Sequence, residues 1–188
     1  MTTASLQTIP GYLAGTWDID PVHSEVGFTV RHMMVSKVRG RFGTFSGHIV
    51  TGENPLDSTV TASVDLNSID TNNPQRDDHI RSADFFEVET YPTMTYRSTG
   101  LRADDSGGSD FFLDGELTLK GVTRNVPLRL EFNGFGQDAY GGTRSGFTAT
   151  AHIDRRDFNI NFNAAIETGG VVVADKVTIQ LEVEAVLR

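Results

Sequence analysis

The sequence predicts an all-β protein, an eight-stranded antiparallel β-barrel with one short α-helix. Three observations carry this. Apolar and polar residues alternate with period two through about eight segments. Turn-forming clusters such as Gly52-Glu53-Asn54-Pro55-Leu56-Asp57 separate those segments by short intervals. One strong helix start breaks the pattern, at Asn73-Pro74.

Residues 1–14 show no period, contain Pro10 and Gly11, and read as a flexible N-terminal arm. Residues 15–188 read as a single domain, because 188 residues make one good core and are few for two. The first strand runs from Thr16 to Arg31 and is expected to bend at Pro21, which has no N–H to give to a ladder. In its second half Val26, Phe28, Val30 and His32 share one face, with Glu25, Gly27, Thr29 and Arg31 on the other. A second strand, Val38 to Thr51, is interrupted by Gly40, Gly43 and Gly47 around Phe42 and Phe45, so a sharp change of direction is expected. Val60, Ala62, Val64 and Leu66 mark the third strand.

The helix is expected over Pro74 to Ala83, with Asn73 as N-cap, Asp77 and Asp78 near the positive end of the dipole, and Asp77 paired with Arg81 four residues on. Its apolar side, Ile80 and Ala83 with the following Phe85-Phe86, should pack on the sheet or close one end of it. Beyond Tyr91-Pro92 the period returns to two. Met94, Tyr96 and Ser98 form one strand face, and Asp104 to Ser109 reads as a hairpin loop. Leu113, Gly115, Leu117 and Leu119 follow, then a tight turn at Lys120 to Thr123 and the face Val126, Leu128, Leu130 and Phe132. Phe147, Ala149, Ala151 and Ile153 form the next face, and Val177, Ile179, Leu181, Val183 and Ala185 the last. A two-sheet sandwich shares this alternation. The glycine-broken second strand favours closure, which removes open edges and leaves a lumen wide enough for side chains or one slim ligand.

Several chemistries lack their residues. With no cysteine there is no disulfide, thiolate metal site or cysteine nucleophile, which fits a reducing compartment. The first residues have neither a basic nor an apolar leader region, and no run approaches a membrane span, so a cytoplasmic location without a transmembrane segment is expected. A net charge of -9 argues against nucleic acid. Residues 31–41 nevertheless hold Arg31, Lys37, Arg39 and Arg41 with no carboxylate, a local patch able to recruit one anionic group. His23 and Ser24 are neighbours and should point to opposite faces, which rules out a base–nucleophile pair in a regular strand. Asp77, Asp78 and His79 diverge around a helix, and the histidines never take metal-ligand spacings, so no metal site is proposed. Asp154-Arg155-Arg156-Asp157-Phe158 reads as a salt-bridged rim at a strand end.

These residues also carry a resemblance. Asp20-Pro21-Val22-His23-Ser24 with Val26, Phe28, Val30, His32 and Met33, then Gly40-x-Phe42, Ser68-Ile69-Asp70-Thr71-Asn72-Asn73, Arg76 to Phe86 and Tyr91-Pro92 are similar to the YceI-like, polyisoprenoid-binding family. Gly115 to Thr123 and Ile153-x-Arg155-x-Asp157-Phe158 agree. The resemblance implies a lipocalin-like barrel, of bacterial type, whose lumen holds a long isoprenoid or similar amphiphile. Asn159 stands where the family commonly has Gly, so the local turn is expected to differ.

The functional expectation is therefore a protein that sequesters or carries a long-chain isoprenoid or fatty amphiphile, such as a polyprenyl phosphate or quinone, with no other cofactor. Its lumen would be lined by Val26, Phe28, Val30, Phe42, Val64, Leu117, Leu128, Phe147 and Ile179. Strands of about ten residues tilted in a barrel give a lumen roughly 25 Å long, room for about 20 extended carbons. His32, Met33, Met34, Arg39 and Arg41 would form the mouth and read the head group. An enzyme using His32 as general base is the alternative, and a barrel filled by its own side chains a third. The pattern also leaves room for a homodimer.

Overall fold

The computed structural model describes residues 9–105, 110–165 and 170–188. Among them lie twelve strands: β1 (Gly15–Ile19), β2 (Glu25–His32), β3 (Ser36–Phe42), β4 (Phe45–Thr51), β5 (Thr59–Asp65), β6 (Ile69–Asp70), β7 (Thr93–Ala103), β8 (Asp110–Leu119), β9 (Val122–Asn125), β10 (Leu128–Gln137), β11 (Thr143–Asp154) and β12 (Val173–Leu187). They make eight staves, because β1 and β2 continue one another, as do β3 and β4. The rest of the ring is β5, β7, β8, β10, β11 and β12, every neighbour antiparallel. The long β12 closes it by pairing with β1 at one end and β2 at the other. The alternation and the predicted barrel thus agree stave by stave.

The two interrupted staves follow from local chemistry. At Pro21 the ladder stops, and Asp20 Oδ1 accepts the Val22 N–H at 2.9 Å, turning the chain before β2 starts. Gly43 and Thr44 separate β3 from β4, so the second stave bends where the glycine spacing predicts. Gly40 has a different role. It lies opposite Phe28 in the register, and a Cβ there would overlap the Phe28 ring. Gly115 serves Tyr96 in the same way. Both glycines give an inward aromatic a flat seat on the neighbouring strand.

Three local expectations are corrected. Helix α1 spans Pro74–Arg81 and stops two residues short of Ala83, with Asn73 as N-cap and Ser82 closing it. Asp77 does not pair with Arg81. It is buried and accepts the Thr71 N–H at 2.9 Å and the Thr71 hydroxyl, anchoring the chain that enters the helix. Arg81 instead pairs with Asp78 at 2.9 Å and donates to the carbonyls of Asn67 and Ile69. The turn after β8 is tighter than expected. Lys120 and Gly121 alone make it, both at positive φ, and Val122–Asn125 pairs back as β9. The expected loop at Asp104 to Ser109 lies partly outside the described residues, at 106–109, as does the arm over residues 1–8.

Trp17, the single tryptophan, is fully buried with Ile49 and Ala185, and its Nε1 donates to Thr51 Oγ1 at 2.9 Å. This cluster seals one end of the barrel, called upper below. Asn159 takes φ 58° and ψ 28°, the left-handed conformation that glycine enters freely and asparagine tolerates. Among the described residues no helix is long and apolar enough to cross a membrane.

Candidate ligand chamber

Inward side chains do not fill the barrel. An upper chamber of about 200 Å³ and a lower one of about 540 Å³ occupy it. The two share Val26, Met94, Leu117 and Ile179, which form a waist. Phe28, Val30 and Phe42 line the lower chamber, and Val64, Leu128 and Phe147 the upper one. All nine residues assigned to the lumen by alternation therefore face it.

The upper chamber is almost wholly apolar. Its far end is covered by the N-terminal segment, where Ile9 and Tyr12 stand over the opening. The Tyr12 hydroxyl donates to the Gly52 carbonyl at 2.7 Å, and its ring meets Phe135 edge-on at 5.7 Å. Ile9 and Tyr12 thus plug this end, while Pro10 and Gly11 between them stay exposed, so among the described residues of the expected flexible arm only these two side chains are held against the barrel. Tyr96 also lines this chamber, and its hydroxyl donates to the Val126 carbonyl at 2.9 Å. Burial, with Asp114 nearby, pushes its phenol well above the ordinary range, so it stays a neutral donor.

The lower chamber carries the polar groups. Arg31 and His32 lie at its edge on β2, and Gln75, Arg76 and His79 reach it from α1. Arg76 is fixed by Thr71, with Nε on the hydroxyl at 2.8 Å and Nη2 on the carbonyl at 2.6 Å. His79 Nε2 lies 2.8 Å from Asp84 Oδ2, and its ring meets Phe85 and Phe162 edge-on. Asp77, Asp78 and His79 accordingly have three different partners, as neighbours on a helix should. Alternation assigned none of the helix residues to the site. The usable signal was helical: Arg76, His79 and Ile80 recur at three and four residues behind the Asn73 cap.

Arg155 holds this end together. Only 4% exposed, it donates to the carbonyls of Ala174, Ile160, Phe162 and Val173, and burial lowers its pKa without discharging it. Its neighbours form the expected ionic rim, with Arg156 on Asp154 at 2.6 Å and on Asp175 at 3.4 Å.

The expected mouth divides. His32 borders the lower chamber, but Arg39 and Arg41 stand on the other face of β3, exposed outside the barrel. The period of two requires this, since Val38, Gly40 and Phe42 face inward. Arg41 reaches Asp70 at 3.5 Å, and Arg39 lies in an outer groove with Arg31, Lys37 and Lys176. Met33 and Met34 occupy the exposed β2–β3 turn rather than the chamber wall, with φ of 50° and 61°. For residues other than glycine that conformation costs about 1–2 kcal/mol each.

At the upper corner, Asp20-Pro21-Val22-His23-Ser24 builds a brace. His23 Nδ1 lies 2.8 Å from Asp20 Oδ2, while the Ser24 hydroxyl bonds the main chain of Glu184. Arg144 Nη1 sits 2.8 Å from Asp20 and 2.9 Å from Glu184, with its Nε on Asp138 at 3.0 Å. Asp20, His23 and Glu184 converge closely enough to hold a cation, but Arg144 already supplies the positive charge. Arg144 first, then His23, holds the Asp20 carboxyl well below the usual carboxylate range.

A family model described as the YceI-like domain matches residues 17–185. A UPF0312 protein of Vibrio cholerae serotype O1 strain M66-2 is 39% identical over 149 residues, covering 79% of this chain and 78% of that protein. Among solved structures, Burkholderia cenocepacia BcnA superposes with a TM-score of 0.76 at 23% identity, over 88% of this chain and 98% of its own. A polyisoprenoid binding domain from Saccharophagus degradans, implicated in plant cell wall breakdown, gives a TM-score of 0.69 at 17% identity, over 94% of this chain and all of its own.

Proposed function

Starting from the fact that the chain belongs to the YceI-like domain family, we propose that its barrel binds one long-chain isoprenoid or similar amphiphile, tail across the waist and polar head in the lower chamber. One observation carries the reading: polar side chains gather at one end of a lumen that is otherwise apolar. The neighbour described as a polyisoprenoid binding domain supports the ligand class. Burial at about 0.8 kcal/mol per methylene would give well over 10 kcal/mol gross for about 20 carbons, reduced by the cost of ordering the chain. A phosphate or quinone head would accept hydrogen bonds from Arg76, His79 and His32, charge-assisted where the donor is Arg76. Arg39 and Arg41 have no part in this, because they lie outside.

Native mass spectrometry and organic extraction of the purified protein test the proposal. One equivalent of an isoprenoid lipid, co-purifying or taken up when polyprenyl phosphate or polyprenol is supplied, is the expected result. A folded protein that arrives empty and takes up neither would overturn it.

A further inference from the structure

Outside the lumen, the β2–β3 hairpin combines two features that the proposed ligand does not use. Its tip exposes three consecutive apolar side chains, Met33, Met34 and Val35, the last 84% exposed. Single exposed apolar residues are ordinary on a protein surface, but three in a row at a hairpin tip are not scattered. The turn also holds Met33 and Met34 at positive φ, in positions that hairpins usually give to glycine or asparagine. Behind the tip, the outer faces of β2, β3 and β12 form a shallow groove with Arg31, Lys37, Arg39 and Lys176. None of these four forms an ion pair among the described residues. The nearby carboxylates are Glu25 at the far end of the groove, Asp70 engaged by Arg41, Asp154 opposite Lys176 in the register and engaged by Arg156, and Asp175 engaged by Arg155 and Arg156. The rest of the chain is strongly acidic, which sets this face apart.

We propose that the β2–β3 hairpin docks on an anionic lipid bilayer, with Met33, Met34 and Val35 entering the interface and Arg31, Lys37, Arg39 and Lys176 facing the headgroups. The chemistry is that of interfacial anchors, in which a small apolar insertion and several cations act together. Long cationic side chains behind the tip can reach headgroups while their stems follow the apolar surface. The position has a consequence for the lumen. The Met33 N–H bonds the Val172 carbonyl at 2.8 Å, and Val172 and His32 both line the lower chamber, so docking would bring that chamber to the membrane.

Sedimentation with phosphatidylcholine vesicles, with and without phosphatidylglycerol, tests the surface. The protein is expected to bind the anionic vesicles only and to be released by salt. Removing Lys37, Arg39 and Lys176 together as glutamines should weaken binding roughly a hundredfold, at about fivefold per cation. Met34→Ser with Val35→Ser should weaken it roughly tenfold. Because the chain has no cysteine, Val35→Cys carrying an environment-sensitive dye reads insertion directly in an otherwise intact protein, and a blue shift with anionic vesicles is expected. Failure to bind anionic vesicles, equal binding to neutral ones, an unshifted dye, or full binding by either folded variant would overturn the proposal. The vesicles contain no isoprenoid, so such a failure leaves the reading of the barrel standing.

Discussion

Asp20 shows how one side chain joins distant parts of the chain. Its carboxylate takes Arg144 from β11, His23 from the turn, and the Val22 N–H, and Arg144 carries the link on to Glu184 of β12. Since the folded carboxyl is held below its ordinary value, the unfolded chain binds the proton first as pH falls. The stabilisation is complete above about pH 4 and is lost as pH drops through the folded pKa. Asp20→Asn is expected to lose about 1–3 kcal/mol at neutral pH and to show a shallower loss of stability in acid, measured by urea unfolding across a pH series. Parallel pH curves for the two proteins would contradict the role. His23 and Ser24 do stay apart, but not for the strand reason that separates them in the sequence: both precede β2, and His23 turns to Asp20 while Ser24 turns to the main chain of Glu184. Sequence reasoning could not reach Arg144, which lies 124 residues away in the chain and meets Asp20 only after closure. Arg155 was equally hidden. Among four successive charges at a strand end, alternation does not say which one turns inward, and here the carbonyls of Ile160, Phe162 and Ala174 select it.

At the scale of elements, the staves were legible because burial on one face enforces a period of two, and a register slip would have turned each strand over. That is why the nine lumen residues fall as alternation places them, and why the same rule, applied to β3, moves Arg39 and Arg41 outside. Grouping the basic residues by proximity in sequence ignores the face. β6 and β9 were illegible, since two and four residues are too few to show a period. Glycines were legible as interruptions but not as seats for aromatics, because that depends on the cross-strand partner. Gly40→Ala tests the distinction. If Gly40 only allowed curvature, alanine would cost little; as the seat of Phe28, its replacement should displace the ring and destabilise the barrel by about 1–3 kcal/mol. Phe28→Leu combined with Gly40→Ala should recover part of the loss, and no recovery in thermal unfolding would argue against the contact.

Across the whole molecule, the barrel is polarised from end to end. The upper end is closed by Trp17, Phe135 and the plug of Ile9 and Tyr12, while the lower end carries α1, the Arg155 fork and the polar edge. Closure, one helix and a lumen were legible from pattern and length. The division of that lumen into two chambers was not, because side-chain volume at the waist depends on four residues from four staves meeting at one level. The central claim is that one extended chain occupies both chambers. The most direct measurement is titration with isoprenoid alcohols of increasing length against the parent protein and Met94→Trp, which narrows the waist. Parent affinity is expected to keep rising with length after the lower chamber is full, while that of the variant levels off at shorter chains. If both proteins level off at the same length, the chain does not cross the waist and the account is wrong.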